Sequence, residues 1–421
     1  MQMAAPLFHL SISIVLVRLA GAHEYGVYSY CLSIFGIILY PITTSFSTLI
    51  IRNLAIHHAR CEWALLRGLL KRASQWAVAV SATLIGIGVL IGSFFNEITP
   101  GSNEVFFALL LLTPLVIFNE FRSAALRGLR HIIWGQFPEL IVIPATTLLL
   151  ATLLYVNVND TTALTLVGLQ ILATLCAFLI GSALLRKHFP PEIHSVSPIY
   201  QNRLWLRGIL PLMLLNGSLQ IESELVIMLL GQFASVESSG IYRICARGAG
   251  LIPFVFFALN MATAPTFSRL YALGHLTELS RLVAKTTHYA LIAALPITFA
   301  FIFFGDRILH IFYGPDFVIG ANAMAILCVA KVFSVGTGPT ACLLNSTGHE
   351  RDTLKSSLIA LMLTLSLSLL LIPCCGLIGA AVASAVSLVF RSGLNSWFVF
   401  RRFNISPLAA FTRGQFFHKS K

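Results

Sequence analysis

The chain has 421 residues, 57% hydrophobic and 10% charged, with a mean hydropathy of +0.85 and a formal net charge of +12. Soluble domains carry about 25% charged residues, so a water-soluble globule is excluded. Eight Cys scattered over this length, with no C-x-x-C and no repeating spacing, exclude a secreted disulfide scaffold and read as helix-packing thiols.

The apolar residues gather in runs of about twenty, enough for a helix to cross a hydrocarbon core of about 30 Å. They predict segments at 4–20, 26–51, 74–95, 105–121, 138–156 and 163–185, then at 208–230, 241–265, 287–304, 318–343, 356–373 and 377–400. Spanning strands are excluded, because the runs do not alternate with period two and open sheet edges cannot be satisfied in lipid. The fold class expected is an all-α integral membrane protein of about twelve transmembrane helices in two six-helix bundles. The domains follow: a bundle over 1–185, a cytoplasmic connecting loop over 186–207, a second bundle over 208–400 and a basic tail over 401–421. The first segment begins almost at Met1 without a basic leader or an A-x-A site, which speaks against a signal peptide. Its shortness predicts that part of the first helix precedes Met1.

All the Lys and Arg except Arg18, Arg243, Arg247, Arg307, Lys331 and Arg391 fall in alternate connections or the tail, the side that the positive-inside rule makes cytoplasmic. Both termini are therefore expected inside. The opposite connections hold Glu97, Glu104, Asp160, Glu237, Asp306 and Asp316, and all five Trp are expected at the cytoplasmic boundary as an aromatic belt. The positive charge is a topology signal, spread over six short stretches rather than one face, which excludes nucleic acid as a partner. Membrane lipid headgroups remain a partner.

The halves repeat one another. Leu19-Ala20-Gly21 followed by Glu24-Tyr25-Gly26-Val27-Tyr28 returns as Leu229-Leu230-Gly231, Glu237 and Gly240-Ile241-Tyr242, and Leu126-Arg127-Gly128 returns as Leu344-Asn345 with Gly348-His349. Parallel repeats of this kind build alternating-access transporters.

Polar residues inside the segments are the candidate site. Lys331 and Arg391 lie about 13 residues from the outer ends of their helices, roughly 20 Å deep at 1.5 Å per residue. A central cation costs about 3 kcal/mol and needs a partner, water or a ligand. Two readings stand for each: snorkelling or a bond to a neighbouring carbonyl, or a place in a wet cavity. Arg391 shares a face with Ser384, Ser387 and Asn395. In the seventh segment Asn216, Gln220 and Glu224 form one face, with Glu222 opposite. In the eighth, Arg243 and Arg247 lie four apart. Glu224 with Arg247 reads either as an interhelical ion pair or as a titrating or sodium-coupled group beside an anion ligand. The second segment carries Tyr25, Ser29, Ser33, Gly36, Tyr40, Thr44 and Thr48, either packing glue or a sugar-binding stripe. Pro41, Pro211, Pro253, Pro296 and Gly336-Thr337-Gly338-Pro339 are the kink candidates. His57, His58 and His131 read as solvated loop residues without metal-ligand spacing. No P-loop or catalytic motif is present, so no cofactor and no enzymatic activity are expected.

On the residues Arg18-Leu19-Ala20-Gly21, Glu24 to Tyr28, Arg52, Ala55, Pro211, Met228 to Gly231, Gly240 to Tyr242 and Pro265, the chain resembles the polysaccharide transporter family. These are the lipid-linked oligosaccharide (O-antigen type) flippases of the multidrug/oligosaccharidyl-lipid/polysaccharide exporter superfamily. The family often carries an aspartate a few residues before the seventh-helix glycine, whereas here Glu224 stands seven before Gly231. The resemblance implies export of an undecaprenyl-diphosphate-linked glycan across the bacterial inner membrane through a cationic cavity, with a polysaccharide polymerase and a chain-length regulator as partners. Its candidate substrate residues are Arg247, Lys331, Arg391, Arg243 and Arg18. Glu224 and Glu222 are the ion-coupling or gating carboxylates, and Ser29, Ser33, Tyr40, Thr44, Asn216 and Gln220 line the cavity. The alternatives are an ion-coupled multidrug or small-molecule exporter of the same superfamily, and a membrane-embedded polysaccharide polymerase or ligase.

Overall fold

A computed structural model describes residues 5–92, 102–157, 161–190, 192–193 and 196–404. Glu97, Asp160 and the tail beyond 404 lie outside the described residues, as do the side chains of several residues between 203 and 216. Among the described residues regular structure is entirely helical. In chain order the helices are α1 (Ala5–Ala59), α2 (Trp63–Gly92), α3 (Ser102–Gly128), α4 (Ile132–Phe137), α5 (Ile143–Asn157), α6 (Ala163–Lys187) and α7 (Asn202–Phe233). They continue as α8 (Val236–Ala249), α9 (Phe254–Ala272), α10 (Leu276–Tyr313), α11 (Ala321–Gly336), α12 (Thr340–Ser346) and α13 (Glu350–Phe403). A π-helical turn (Pro138–Val142) joins α4 to α5, and a 3-10 turn (Pro315–Gly320) precedes α11.

Eight helices among the described residues are long and apolar enough to cross a bilayer, or nine if the α8–α9 pair, bent by 53°, is one span. The 55 residues of α1 would reach roughly 80 Å if straight, far more than one crossing needs. The helix breaks at Gly21 (φ 73°, ψ −178°), and α13 breaks at Gly376 (φ 51°, ψ −124°). Only glycine enters these regions without strain. That α13 folds back on itself is plain from its contacts: Arg402 pairs with Asp352 at 3.1 Å, and Ser356 donates to Asn395 Oδ1 at 2.5 Å. With α1 and α13 each counted twice and α7 long enough to cross, every one of the twelve expected segments finds a helix.

The breaks inside α1 and α13 fall away from the proline candidates, whereas the 53° bend between α8 and α9 comes at Pro253. Pro253 does cap α9 after a turn, and the chain leaves the helix at Thr337 to Pro339. Pro41 and Pro296, in contrast, sit inside α1 and α10, where the backbone stays helical.

The chain divides into two compact units, 1–232 and 233–421, which groups α7 with the first. The packing of α7 explains this grouping. Tyr30 donates to Gln232 at 3.0 Å, and a Cβ on Gly217 would come within 2.8 Å of the Pro41 ring. The connecting stretch after α6 is also bound to this unit. Ile199 N–H donates to Ala64 carbonyl at 3.0 Å, Arg67 donates to Val196 carbonyl, and the Arg72 guanidinium lies 4.7 Å from the Tyr200 ring centroid.

Lipid tails are as apolar as Leu, so burying apolar surface between membrane helices gains little and close backbone approach matters more. Small residues accordingly fill the buried face of α6, at Ala173, Ala177 and Gly181, and α3 presents Ala124 and Ala125. In the second unit Phe267, Leu279, Val283, Leu343, Leu344, Val399 and Phe403 join α9, α10, α12 and α13 in one cluster. Large apolar side chains such as Leu90, Leu111, Phe303 and Leu370 remain exposed, as a lipid-facing surface requires.

The internal repeat is visible as paired hydrogen bonds. Tyr28 donates to Gln170 at 2.6 Å, and Tyr242 bonds Ser384 at 2.6 Å, each pair 142 residues apart. Cys31 donates to Ser102 carbonyl at 3.5 Å, and Cys245 to Gly320 carbonyl at 3.2 Å. After α3, His131 N–H reaches Leu126 carbonyl at 2.9 Å around a left-handed Arg130. After α12, His349 N–H reaches Leu344 carbonyl at 2.8 Å around a left-handed Gly348.

An alanine Cβ at Gly21 would meet no atom within 4 Å, so Gly21→Ala should cost backbone strain alone, about 1–3 kcal/mol. Gly168→Ala, in equally open space on helical α6, should be neutral or stabilising. Thermal unfolding of the two purified variants beside the wild type measures the difference.

Candidate functional site

The repeated motif of the first unit has a structural task. Glu24 Oε2 accepts the N–H of Ala163 at 2.6 Å, and Thr161 donates to Leu19 carbonyl. A carboxylate at a helix N-terminus satisfies an orphan donor and meets the positive end of the helix dipole. The start of α6 is thereby fixed beside the Gly21 break.

Along the second crossing of α1, Ser29 and Ser33 are fully buried, and Ser33 donates to Tyr30 carbonyl at 2.6 Å. Tyr40 and Thr44 are half-buried, and Thr44 donates back to Tyr40 carbonyl at 2.7 Å. A Cβ on Gly36 would touch the Tyr40 ring at 2.7 Å and the Glu224 side chain at 3.4 Å, so Tyr40 and Glu224 meet over a glycine. Glu222 and Glu224 are half-buried and Gln220 is exposed, while the side chain of Asn216 lies outside the described residues. Arg18 is exposed on the first crossing.

The second unit gathers the other cations. Arg243 is buried and Arg247 half-buried on α8, Lys331 is half-buried on α11, and Arg391 is half-buried on α13. These three helices pack on one another. Tyr242 and Ser384 tie α8 to α13, and Ser392 donates to Ser334 at 2.9 Å, within a turn of both Arg391 and Lys331. Of the Arg391 face, Ser384 is committed to Tyr242 and Asn395 to Ser356.

Several residues behave otherwise than the sequence led one to expect. Arg122 and Arg127, counted as cytoplasmic loop cations, lie within α3. Arg122 is 6% exposed, with its guanidinium laid across Gly181, where any Cβ would collide with it. It donates to Phe178 carbonyl and to Asn119 Oδ1, while Asn119 donates to Thr174 carbonyl at 3.0 Å. Arg127 donates to Glu120 and to Ser47, both at 2.9 Å. His57 is buried rather than solvated, with its Nδ1 2.7 Å from Glu62. Trp205 is buried against Trp76 and is no belt residue, because its ring fills the space between helices. Among the described residues no group of His, Cys, Asp and Glu could hold a metal ion.

In the connections, His131 and His188 lie with ring centroids 4.5 Å apart, and Trp134 stacks on His188 at 5.8 Å. Burial, reinforced by the imidazoles of His188 and His58, pushes His131 below the usual histidine range.

The chain matches the family model described as "Polysaccharide biosynthesis protein" over residues 1–271 and the MatE model over 211–370. It is 28% identical over 168 residues to "Probable flippase AglR" of Haloferax volcanii, a match covering 39% of this chain and 35% of that protein. The matched stretch is thus about a third of the relative's length. Among solved structures, an inward-facing multidrug resistance MATE family transporter of the MOP superfamily aligns with a TM-score of 0.79 and 12% identity, covering 94% of both chains. The lipid II flippase MurJ, in an inward closed conformation, aligns with a TM-score of 0.72 and 11% identity, covering 94% of this chain and 87% of that one. At such identities the likeness is one of fold.

Arg122→Ala should leave the Asn119 amide oxygen without its Arg122 donor, at about 1–3 kcal/mol for that buried group, while the Phe178 carbonyl keeps the Ser182 hydroxyl as a donor at 2.6 Å. The expected result is a lowered unfolding temperature and a lowered yield of inserted protein. For His131 the sign follows from its depressed titration. As pH falls below about 6.5 the unfolded chain takes up that proton first, so stability declines through the lower folded-state value. His131→Gln should flatten that acid slope in a pH series of melting curves.

Proposed function

Because the chain belongs to the polysaccharide biosynthesis protein family, we propose that this multi-pass membrane transporter is a flippase for lipid-linked oligosaccharide. In this reading an undecaprenyl-diphosphate-linked repeat unit of an O-antigen or other surface polysaccharide moves from the cytoplasmic to the periplasmic leaflet of a bacterial inner membrane by alternating access. In this proposal both termini are cytoplasmic, and the 186–207 connection between the sixth and seventh segments lies on the same side. Reporter fusions that put that connection outside would sink this topology.

The observation that carries the reading is the set Arg243, Arg247, Lys331 and Arg391 on three mutually packed helices of the second unit. Guanidinium groups offer paired donors to phosphate oxygens, and charge-assisted bonds of this type are about twice as strong as neutral ones. A glycan diphosphate cannot enter hydrocarbon without such partners. The same charges oppose an organic cation, which weakens the multidrug reading that the MatE match otherwise supports. In this mechanism the diphosphate passes between fixed cations. Arg391 and Lys331 hold it at depth and Arg247 holds it nearer the outer mouth, with Arg18 and Arg243 adding to the attraction. Glu224 and Glu222 supply the gating carboxylates, and Tyr40, Thr44, Gln220 and Asn216, with Ser29 and Ser33 behind them, form the polar wall that the sugars pass.

Arg391→Ala and Lys331→Ala should insert at wild-type level yet lose transfer of a fluorescent undecaprenyl-diphosphate glycan between the leaflets of proteoliposomes. Arg391→Lys should keep part of it. Wild-type rates in both alanine variants would show that these cations are structural, and efflux of an organic cation by the wild type without glycan-lipid transfer would favour the exporter.

A further inference from the structure

In the first unit the ends of α1, α3 and α6 that the proposed topology makes cytoplasmic meet in a cluster of rings. His131 precedes α4, just beyond the left-handed Arg130, and Trp134 stands one turn further on. The ring of His188, which closes α6, touches both, with centroids 4.5 Å from His131 and 5.8 Å from Trp134. His188 Nδ1 lies 2.9 Å from the Leu184 carbonyl and donates to it, so Nε2 is the nitrogen left to take up a second proton. The end of α1 comes to the same place. A Cβ on Gly128 of α3 would come within 2.7 Å of Leu54, and one turn beyond Leu54 is His58, edge-on to Trp63 at 5.6 Å.

The second unit builds the same cluster from other rings. His349 follows the left-handed Gly348 as His131 follows Arg130. Beside it stand Phe403 at the end of α13, with centroids 5.4 Å apart, and Tyr271 of α9 at 6.2 Å, while Tyr271 and Phe403 are 5.3 Å from one another. Tyr271 is one residue from the end of α9, as His58 is one from the end of α1. The packing therefore asks for three rings at this position, and phenylalanine and tyrosine meet two of the three demands. Those two stay uncharged at neutral and mildly acid pH, whereas an imidazole does not. Only the first unit puts three imidazoles there, so only its cluster can gather more than one positive charge.

We propose that His58, His131 and His188 form a pH switch that fastens the ends of α1, α3 and α6 together while the rings are neutral and releases them when the rings are charged. Neutral imidazoles pack as aromatic rings, but imidazolium ions at 4.5 Å repel. Burial, with His188 and His58 adding to it, holds His131 below the usual histidine range, so near neutral pH its ring is uncharged and the cluster is closed. The surroundings offer a second charge no relief. Arg130, Arg186 and Lys187 are exposed on the same turns, Glu62 is engaged with His57 at 2.7 Å, and Glu120 with Arg127 at 2.9 Å. Glu139 stands two turns beyond His131, in the π-helical turn. Among the described residues no such group has the geometry to hold a metal ion, so the cation that the rings take up is a proton. Charging loosens α4 from α6 and the end of α3 from α1. Alternating access moves a repeat as a body, so acid on this side slows the transporter, a last step that rests on the transport reading above.

Hydrogen–deuterium exchange of the full chain in lipid nanodiscs tests the switch without any substrate. As pH falls from about 7.5 to about 5.5, the wild-type amides from Gly128 to Phe137 and from Leu184 to His188 should lose protection, after correction for intrinsic exchange. The loss is up to about tenfold per pH unit for each proton that only the open form binds. His58→Tyr with His188→Phe gives the first unit the rings of the second, and should keep its protection over the same range. Should that variant not fold, His58→Tyr alone, with one imidazole fewer, should lose less protection than the wild type. In proteoliposomes the same acidification should slow glycan-lipid transfer by the wild type more than by the ring variant. A wild type whose protection does not fall, or ring variants that lose it equally, would overturn the switch. Protection lost as expected, with transfer slowed equally in both proteins, would overturn its hold on transport. A wild type that transfers no glycan lipid at any pH would instead overturn the transport reading and leave the switch standing.

Discussion

A polar group in hydrocarbon has no water to fall back on, and nearly every specific contact in this chain answers that constraint. Arg122 is the clearest case. Its guanidinium reaches sideways into the α3–α6 contact, and the chain supplies two oxygens for it and a glycine flat enough to lie over. Apolar surface cannot specify which helices meet, because lipid solvates it equally well. The choice falls to hydrogen bonds such as Tyr28 to Gln170, Asn119 to Thr174 and Ser356 to Asn395, and to the small residues that let backbones approach.

The two units solve the same packing problem with shared and divergent parts. The tyrosine, the cysteine and the left-handed turn recur, and these join one helix to another wherever the repeat is found. Glu24 has its counterpart in Glu237, but the charges at the end of α3 do not recur. The first unit carries carboxylates and guanidinium groups around the end of α3, and the second carries its cations on α8, α11 and α13. A scaffold held together by the recurring contacts leaves the remaining polar positions free to differ between the units, and function belongs to such positions rather than to the fold itself.

The spans were legible because length and apolarity are local properties, and each of the twelve segments corresponds to a helix. The repeat was legible too, but its meaning was not: nothing in the spelling of Glu24 to Tyr28 says that the carboxylate caps a helix that begins at Ala163. Arg122 and Arg127 were read as loop charges because a count of cations per connection records position along the chain and not the direction of a side chain. Trp205 and His57 were misplaced for the same reason, since one fills a core and the other pairs with Glu62. Proline drew attention as the source of kinks, yet the breaks in α1 and α13 belong to glycines, whose freedom of φ leaves no trace in hydropathy.

The stretch between α6 and α7 is bound down at Ile199, Val196 and Tyr200, and Gly68 of α2 must lack a side chain for the Ile199 carbonyl to approach. A connection held in this way behaves as a brace and not as a length of slack rope. One residue, Gln201, separates Tyr200 from the start of α7, so any tilt of α2 is passed to α7 with little lost motion. The joint between the sixth and seventh segments therefore acts as a crank arm, and lengthening it would add play to the linkage while leaving every helix intact.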